Sequence, residues 1–261
     1  MSLLAILSVN LGILFALTLA LWLASLLLRD ASIIDIFWGL GFVVVAWNSA
    51  VLAAWPSARS MLLVAMTTLW GVRLAGYLAW RNIGEAEDRR YRAMREYWGD
   101  RFGVVSLFTV FWLQAIVLWI VSFPLQIGTT STTALTALDA FGLALFCIGL
   151  LFEAVGDAQL ARFKSDRQNA GKVFDRGLWS YTRHPNCFGD FLAWWGLFFV
   201  AAAGGAWWTI FSPRLMAVLL MKVSGVTRLE KSLADRKPEY QAYVQRTNAF
   251  FPWFPKSDDE R

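Results

Sequence analysis

Residues 3–28 read LLAILSVNLGILFALTLALWLASLLL, a run of apolar and small polar side chains that contains no charge. The run is longer than the roughly 20 residues that a helix needs to cross a bilayer. It also exceeds the apolar core of a signal peptide and lacks a basic segment before it, so we expect it to remain as a membrane span. The sequence therefore predicts a membrane-spanning helix over residues 3–28.

The composition of the whole chain agrees with a membrane environment. Hydrophobic residues make up 57% of the 261 residues, charged residues only 16%, and the chain contains 15 Trp and 20 Phe. Such a surface needs a solvent other than water, and aromatic rings are enriched where a bilayer meets water. We predict an all-α polytopic membrane protein. This composition excludes a disordered chain, a secreted disulfide scaffold and a nucleic-acid-binding module.

Apolar runs of span length divide the chain into seven predicted transmembrane helices, which form one domain over residues 1–261. Their bounds are Leu3–Leu28, Ile33–Trp55, Met61–Trp80, Val104–Pro124, Leu138–Ala161, Asn186–Ala203 and Ala206–Val223. Only Gly204 and Gly205 separate the last two runs, which is typical of a tight helical hairpin.

The positive charges between the spans predict the orientation. With a cytoplasmic C-terminus, the inner segments hold one, six, six and seven Lys or Arg residues, whereas Arg59 is the sole such residue in the outer segments. Positive residues concentrate on the cytoplasmic side of membrane proteins. We therefore expect the N-terminus outside and the C-terminus in the cytoplasm.

Two of the inner segments, Arg89–Trp98 and Leu229–Tyr243, alternate charged with apolar side chains. This pattern predicts short amphipathic helices on the cytoplasmic face. They either anchor the protein to the membrane surface or cap a site that opens to the cytoplasm.

The chain has few residues suited to metal binding or redox chemistry. Cys147 and Cys187 do not make a disulfide framework, and we expect two free thiols. With one His and no cluster of Cys and His, we predict no metal site.

Ionisable residues inside the predicted spans form the first shortlist of functional residues, because burying charge in a membrane is expensive. These residues are Asp35, Arg73, Glu153, Asp157, Asp190 and Arg214. Trp70 and Tyr77 lie on the same helical stripe as Arg73. Such charges either pair with one another to lock the bundle or line a pocket. Because most of them fall in the cytoplasmic half, the pattern favours a pocket entered from the cytoplasm.

The stretch DRGLWSYTRHPNCFGD, residues 175–190, predicts an anion site at the start of the sixth span. Pro185 suits the first turn of a helix, and the free N–H groups of that turn attract phosphate. Arg176, Arg183 and His184 lie beside the helix start. Asn186 and Asp190 are one turn apart, so both can reach a ligand there.

The same stretch, GLWSYTRHPN followed by FGD, resembles the signature of membrane-embedded sterol reductases and of the bacterial branch of the steroid 5α-reductase family. The likeness extends to DIFWG at 35–39, LWGVRL at 69–74, DRRY at 88–91 and TNAFFPW at 247–253. This resemblance implies a seven-helix bundle that takes NADPH from the cytoplasmic side. It also implies that the protein saturates the C=C bond of an enone in a steroid or related lipid, as in 3-oxo-Δ4-steroid 5α-reduction.

The resemblance also assigns roles to residues. Together with the anion site, it gives a cofactor-binding set of Asp157, Lys164, Lys172, Arg176, Tyr181, Arg183, His184, Asn186 and Asp190. Asp35 falls near the family's catalytic glutamate, Arg73 matches an arginine, and Trp70 stands near the position of a catalytic tyrosine. The proton donor is therefore Tyr77, Asp35 or water. A carboxyl group shielded from water tends to stay neutral, which would let Asp35 donate to the carbonyl oxygen of the enone.

Two other functions stay open. Isoprenylcysteine carboxyl methyltransferases share the Arg-His-Pro motif and use S-adenosylmethionine, although the tail here has a single Glu230 where those enzymes carry paired glutamates. A non-enzymatic lipid-binding or transport protein would also carry charges in its spans. For the reductase we expect a lipid or steroid substrate, contacts with membrane lipids but not nucleic acid, a monomer, and a place in a bacterial inner membrane.

Overall fold

The computed structural model describes residues 1–54, 57–224 and 238–256, which form helices and loops without a β-strand among them. Six helices in these residues are long and apolar enough to cross a membrane, which indicates an integral membrane protein. Their bounds are Leu3–Leu28, Ile33–Leu52, Ala58–Asn82, Arg89–Val121, Ala137–Ser165 and Pro185–Lys222. The predicted all-α membrane fold is confirmed at this level, but the structure gives six such helices where the sequence analysis predicts seven.

The chain divides into two compact units, and each takes residues from two parts of the sequence. The first unit comprises residues 1–139 and 197–212. It contains α1 (Leu3–Leu28), α2 (Ile33–Leu52), α3 (Ala58–Asn82), α4 (Arg89–Trp98), α5 (Phe102–Ser106), α6 (Leu113–Val121) and α7 (Phe123–Gly128). A π-helical segment, Leu107–Trp112, joins α5 to α6.

Helices α2 and α3 pack closely because each has a glycine at their contact. A Cβ atom built on Gly39 would lie 2.5 Å from the carbonyl oxygen of Gly71, and one on Gly71 would lie 2.5 Å from the oxygen of Gly39. Any larger residue would push the two backbones apart, as at other membrane helix contacts built on small residues. The DIFWG and LWGVRL motifs therefore meet at their glycines.

One end of the first unit is held by a buried ion pair between Arg59 and Asp139. The two side chains are 0% and 3% exposed, and both Arg59 Nε and Nη2 donate to the carboxylate at 2.8 Å. Arg59 also donates to Ser131 Oγ, to the carbonyl oxygen of Thr133 and to that of Ala134. The pair thus holds the loop that follows α7.

The second unit comprises residues 140–196 and 213–261. Its helices include most of α8 (Ala137–Ser165), then α9 (Leu178–Tyr181), part of α10 (Pro185–Ala201), part of α11 (Phe211–Val218) and α12 (Pro238–Arg246). Glycines seven residues apart on α8 face α10. A Cβ atom on Gly149 would lie 2.5 Å from the oxygen of Gly189, and one on Gly196 would lie 2.6 Å from the oxygen of Gly142. The two helices therefore approach at backbone distance.

The long stretch Pro185–Lys222 explains the difference in the span count. It has 38 residues, which is nearly twice the length that a bilayer needs. Its helical path is interrupted at Gly205, whose φ of 97° lies in the left-handed region that suits glycine. The interruption lies where the sequence predicts a helical hairpin.

The two predicted amphipathic helices have different outcomes. The helix predicted over Arg89–Trp98 is confirmed as α4. The end of the second is α12, whereas residues 229–237 of that prediction lie outside the described residues.

Candidate functional site

In the first unit, a cluster of polar side chains surrounds Asp35 near the start of α2. Tyr91 donates its hydroxyl hydrogen to Asp35 Oδ1 at 2.7 Å, and Arg90 Nη2 donates to Asp35 Oδ2 at 2.6 Å. Gln114 Nε2 donates to the Tyr91 hydroxyl at 3.2 Å. Tyr91 is buried in an apolar cluster with Ile34 and Phe111. Asp35 therefore accepts at both carboxylate oxygens, one from a surface arginine and one from a buried phenol.

The residues before α4 bring Arg90 and Tyr91 to this place. Asp88 caps the helix by accepting from the backbone N–H of Arg90, and its own N–H donates to Ser32 Oγ at 2.8 Å. Glu87 accepts two hydrogen bonds from Arg95 and one from the N–H of Ala31. Burial tends to raise the pKa of Glu87, but the hydrogen bonds from Arg95 and Ala31 outweigh it and hold the pKa below its usual value. These contacts fasten α4 to the start of α2.

The other three residues predicted to act in catalysis lie on α3. Trp70 is fully buried and packs edge-on against Phe42, with 5.7 Å between ring centroids. Arg73 and Tyr77 are half-buried, and Tyr77 lies 6.0 Å from Trp80. Trp70 thus has a clear packing role. Asp35 accepts hydrogen bonds from Arg90 and Tyr91, which belong to α4.

In the second unit, the signature stretch forms a turn that is fastened to α8. Gly177 has a φ of 62°, and a Cβ atom there would lie 2.5 Å from Gln159 Nε2. Gln159 Oε1 accepts from the N–H of Leu178 at 3.0 Å, and Trp179 Nε1 donates to the oxygen of Gly156 at 3.0 Å. The motif therefore needs glycine for both its backbone conformation and its close approach to α8.

This turn borders a cavity of about 700 Å³. Its lining is largely apolar and aromatic, with several basic groups. It comprises Leu160, Phe163, Lys164, Asp166, Arg167, Asn169, Ala170, Gly171, Lys172, Val173, Phe174, Trp179, Arg183, His184, Tyr240 and Tyr243. Ligand pockets of enzymes have similar volumes and a similar mixture of apolar walls with a few polar groups.

Four residues of the predicted cofactor-binding set line this cavity, namely Lys164, Lys172, Arg183 and His184. Phe163 and Phe174 stack with 4.8 Å between their ring centroids and add a flat apolar wall. Ammonium and guanidinium groups bind phosphate, and aromatic walls suit a planar ring. The cavity can therefore hold a molecule that combines a phosphate with a ring system.

The remaining residues of that set have other positions. Asn186 Nδ2 donates to Asp157 Oδ1 at 3.1 Å, which links the start of α10 to α8. Asp190 is buried on α10. Arg176 and Tyr181 are exposed, and the Tyr181 ring lies 6.0 Å from that of Phe254. The predicted set is thus spread over the cavity, the contact between α8 and α10, and the surface.

The structure brings to these places further residues that the sequence did not indicate. Tyr91 and Gln114 belong to the Asp35 cluster, and Tyr240 and Tyr243 belong to the cavity. Tyr91 does occur in the DRRY motif that carries the family resemblance, but nothing in the spacing points to its partners. Among the described residues, no group of His, Cys, Asp and Glu could hold a metal ion.

Comparisons with known proteins give a family and a relative. The model of a family described as protein of unknown function (DUF1295) matches residues 21–247. An uncharacterized protein of Schizosaccharomyces pombe (strain 972 / ATCC 24843) is 28% identical over 247 residues, which cover 83% of this chain and 67% of that protein. No solved structure matches the chain significantly.

Proposed function

The chain belongs to the DUF1295 family of proteins of unknown function, and we propose that it is an integral membrane reductase. In this proposal the protein uses NADPH to saturate the C=C bond of an enone in a steroid-like lipid. The observation that carries it is the cavity beside the signature turn, where basic side chains and aromatic walls meet. The resemblance to steroid 5α-reductases motivates the choice of reaction.

The cavity fits NADPH by the chemistry of its lining. Lys164, Arg167 and Lys172 supply three cations for the phosphates, which is more positive charge than a pyrophosphate alone needs. The stacked rings of Phe163 and Phe174 suit a planar base. NADPH would supply the hydride when bound, and the protein would supply orientation and electrostatics. We therefore propose that NADPH binds more tightly than NADH.

The Asp35 cluster supplies the candidate acid. Addition of hydride to the β-carbon of an enone develops negative charge on the carbonyl oxygen, which a proton donor stabilises. We propose that Asp35 is that donor. Because Asp35 accepts from Arg90 and Tyr91 as a carboxylate, it would pass on the phenolic proton that Tyr91 donates to its Oδ1 at 2.7 Å, and Tyr91 would regain a proton from water. Trp70 and Arg73 stay in the proposal as the residues of α3 that the resemblance indicates, and Tyr77, on the same helical stripe, stays as an alternative proton donor.

The membrane arrangement that we propose has seven spans, with the N-terminus outside and the C-terminus in the cytoplasm. The interruption at Gly205 would divide Pro185–Lys222 into two spans. The charge distribution supports the orientation, since Arg59 alone falls in the outer segments. A place in a bacterial inner membrane stays a prediction from the resemblance.

Ligand titration of the full chain, purified in detergent, tests this function. We expect saturable binding of NADPH, weaker binding of NADH and no saturable binding of S-adenosylmethionine. Binding of S-adenosylmethionine in place of NADPH would overturn the reductase proposal in favour of the methyltransferase. Saturable binding of neither would favour a non-enzymatic lipid-binding or transport protein.

Two further measurements sharpen the test. The double substitution Lys164→Gln and Lys172→Gln should weaken NADPH binding more than NADH binding, whereas Lys222→Gln, at an exposed lysine of the second unit, serves as the matched control. With a 3-oxo-Δ4-steroid, we expect NADPH oxidation and saturated product in equal amounts. Tight NADPH binding without turnover of any enone offered would contradict the proposed reaction.

A further inference from the structure

We infer that Arg183 is a positioning residue, which fastens α12 so that this helix forms one wall of the cavity. The proposal rests on the proposed function only for the identity of the ligand. The wall itself is defined by Tyr240 and Tyr243, which line the cavity from α12. The sequence analysis predicts instead that Arg183 binds a phosphate.

The contacts of Arg183 lead to the end of α12. Its Nη1 atom donates to the carbonyl oxygen of Val244 at 3.1 Å and also to that of Thr247. Its backbone N–H donates to the oxygen of Asn248 at 2.9 Å. Arg183 is only 7% exposed, so these bonds are shielded from water. Side chain and backbone therefore hold the same short region, residues 244–248.

The chemistry of a helix terminus explains why an arginine is suited to this position. The last turn of a helix leaves carbonyl oxygens without partners in the helix, and the helix dipole favours a positive charge there. The guanidinium group satisfies both needs, because it donates to two carbonyls at once. Lysine could supply the charge but not the same planar pair of donors.

A second set of contacts joins α12 to the signature turn. The Tyr243 hydroxyl donates to the carbonyl oxygen of Trp179, whose ring nitrogen donates to Gly156. Burial raises the pKa of Tyr243 above its usual value, so the hydroxyl keeps its proton and can donate. Tyr243 is thus connected through Trp179 to α8, across the wall of the cavity.

The segment after α12 runs along the same turn. Thr182 Oγ1 donates to the oxygen of Phe250 at 2.8 Å, and the N–H of Trp253 donates to the oxygen of Tyr181 at 2.9 Å. Residues 181–183 are therefore bonded on one side to the chain that follows α12. Loss of the Arg183 side chain would remove its hydrogen bonds to the end of α12. This would loosen the helix that carries Tyr240 and Tyr243, which line the cavity.

Hydrogen exchange of the ligand-free protein tests the positioning role without any cofactor. We expect Arg183→Ala to speed exchange of the α12 amides about 10-fold or more, because two charge-assisted hydrogen bonds are lost. Arg183→Lys should have an intermediate effect, and Tyr243→Phe should speed exchange in the same helix. Lys256→Ala, an exposed residue beyond α12, is the matched control. Unchanged exchange in both Arg183 variants would overturn the proposal.

Binding of a charged and an uncharged ligand separates positioning from phosphate recognition. If Arg183 positions the wall, Arg183→Ala weakens NADPH and adenosine by similar factors, and salt lowers NADPH affinity as in the wild type. If Arg183 binds phosphate, adenosine affinity is unchanged and the salt dependence becomes weaker. The second result would overturn the inference. Failure of the wild type to bind NADPH would contradict the proposed function, while the exchange experiment would still decide the role of Arg183.

Discussion

Asp35 accepts hydrogen bonds from Arg90 and Tyr91. Its replacement therefore tests two accounts, a catalytic role and a role in holding α4 in place. If Asp35 acts on substrate, Asp35→Ala should lower turnover of a 3-oxo-Δ4-steroid by about 100-fold or more, which is the usual contribution of a general acid. NADPH affinity should then stay close to that of the wild type, because the proposal gives Asp35 no part in cofactor binding. Turnover, NADPH affinity and melting temperature are measured on the same sample.

The competing account of Asp35 is that it fastens α4 through Arg90 and Tyr91. In that case Asp35→Ala lowers the melting temperature strongly, and turnover and NADPH affinity fall in proportion. Tyr91→Phe distinguishes the two accounts further, since it removes one hydrogen bond to Asp35 but keeps the ring in its apolar cluster. Catalysis through this hydroxyl predicts a changed pH profile of turnover, whereas fastening of α4 predicts lower stability alone.

Glu87 gives a prediction about pH. Its folded-state pKa lies below the usual 4.5, so its ion pair with Arg95 stabilises the folded state above that pH. This stabilisation is lost as the pH falls through the folded-state pKa. We expect the melting temperature of the wild type to decline more than that of Glu87→Gln when the pH drops from about 7 to about 3. Parallel declines would show that Glu87 is not responsible.

At the scale of helices, the contact between α8 and α10 depends on the absence of side chains. A Cβ atom on Gly149 would lie 2.5 Å from the oxygen of Gly189 and 2.6 Å from the nitrogen of Ala193. We expect Gly149→Ala to lower the melting temperature and to weaken NADPH binding, since separation of the helices would also strain the bond between Asn186 and Asp157. Thermal unfolding in detergent and ligand titration measure the two effects.

Gly76→Ala is the control for this substitution. It introduces the same methyl group into a helix, but nothing lies within 4 Å of the new atom. Because alanine favours helix more than glycine does, stability should be unchanged or slightly higher. Equal losses in the two variants would mean that the cost arises from helix propensity and not from the packing of α8 against α10.

The buried ion pair between Arg59 and Asp139 leads to a prediction about the stability of the folded protein. Arg59→Ala would leave a buried carboxylate without its arginine, which typically costs about 3–5 kcal/mol. The double variant Arg59→Met with Asp139→Leu should recover a large part of this loss, because no buried charge remains. Unfolding of both variants under the same conditions gives the comparison. A double variant less stable than Arg59→Ala would contradict this account.

At the scale of the whole molecule, the proposed topology is tested by labelling from one side. A single cysteine at Ser131, in a variant without Cys147 and Cys187, should react with an impermeant thiol reagent from outside intact cells. A cysteine at Lys172 should react only after the cells are opened. Labelling of both positions from the same side would rule out the orientation with a cytoplasmic C-terminus.

The apolar runs predicted most of the helical fold because length and hydropathy are local properties. The limits of α1 and α4 agree with prediction to the residue. The seven-span count stays a prediction: length and composition count Pro185–Lys222 as one span, although its helical path is interrupted at Gly205, where the sequence places a hairpin.

The candidate site was less predictable because its contacts join distant parts of the chain. Lys164 and Lys172 were found from charge and resemblance, and they do line the cavity. Arg183 was predicted as a phosphate ligand because it precedes a helix, and the structure adds carbonyl partners more than sixty residues away, which the sequence does not indicate. Likewise, Tyr91 meets Asp35 across 56 residues. Such pairings depend on how the helices fold together, which spacing in one segment does not encode.

The pair of Arg59 and Asp139 also bears on how the chain is made. The two residues are 80 positions apart, so Arg59 leaves the ribosome well before its carboxylate partner exists. At a synthesis rate of about 5–20 residues per second, the delay is about 4–16 s. During that time the arginine must stay hydrated at the membrane surface, because burial without a counter-ion is too costly. We therefore expect the start of α3 to pack in its final place only after Asp139 has been translated.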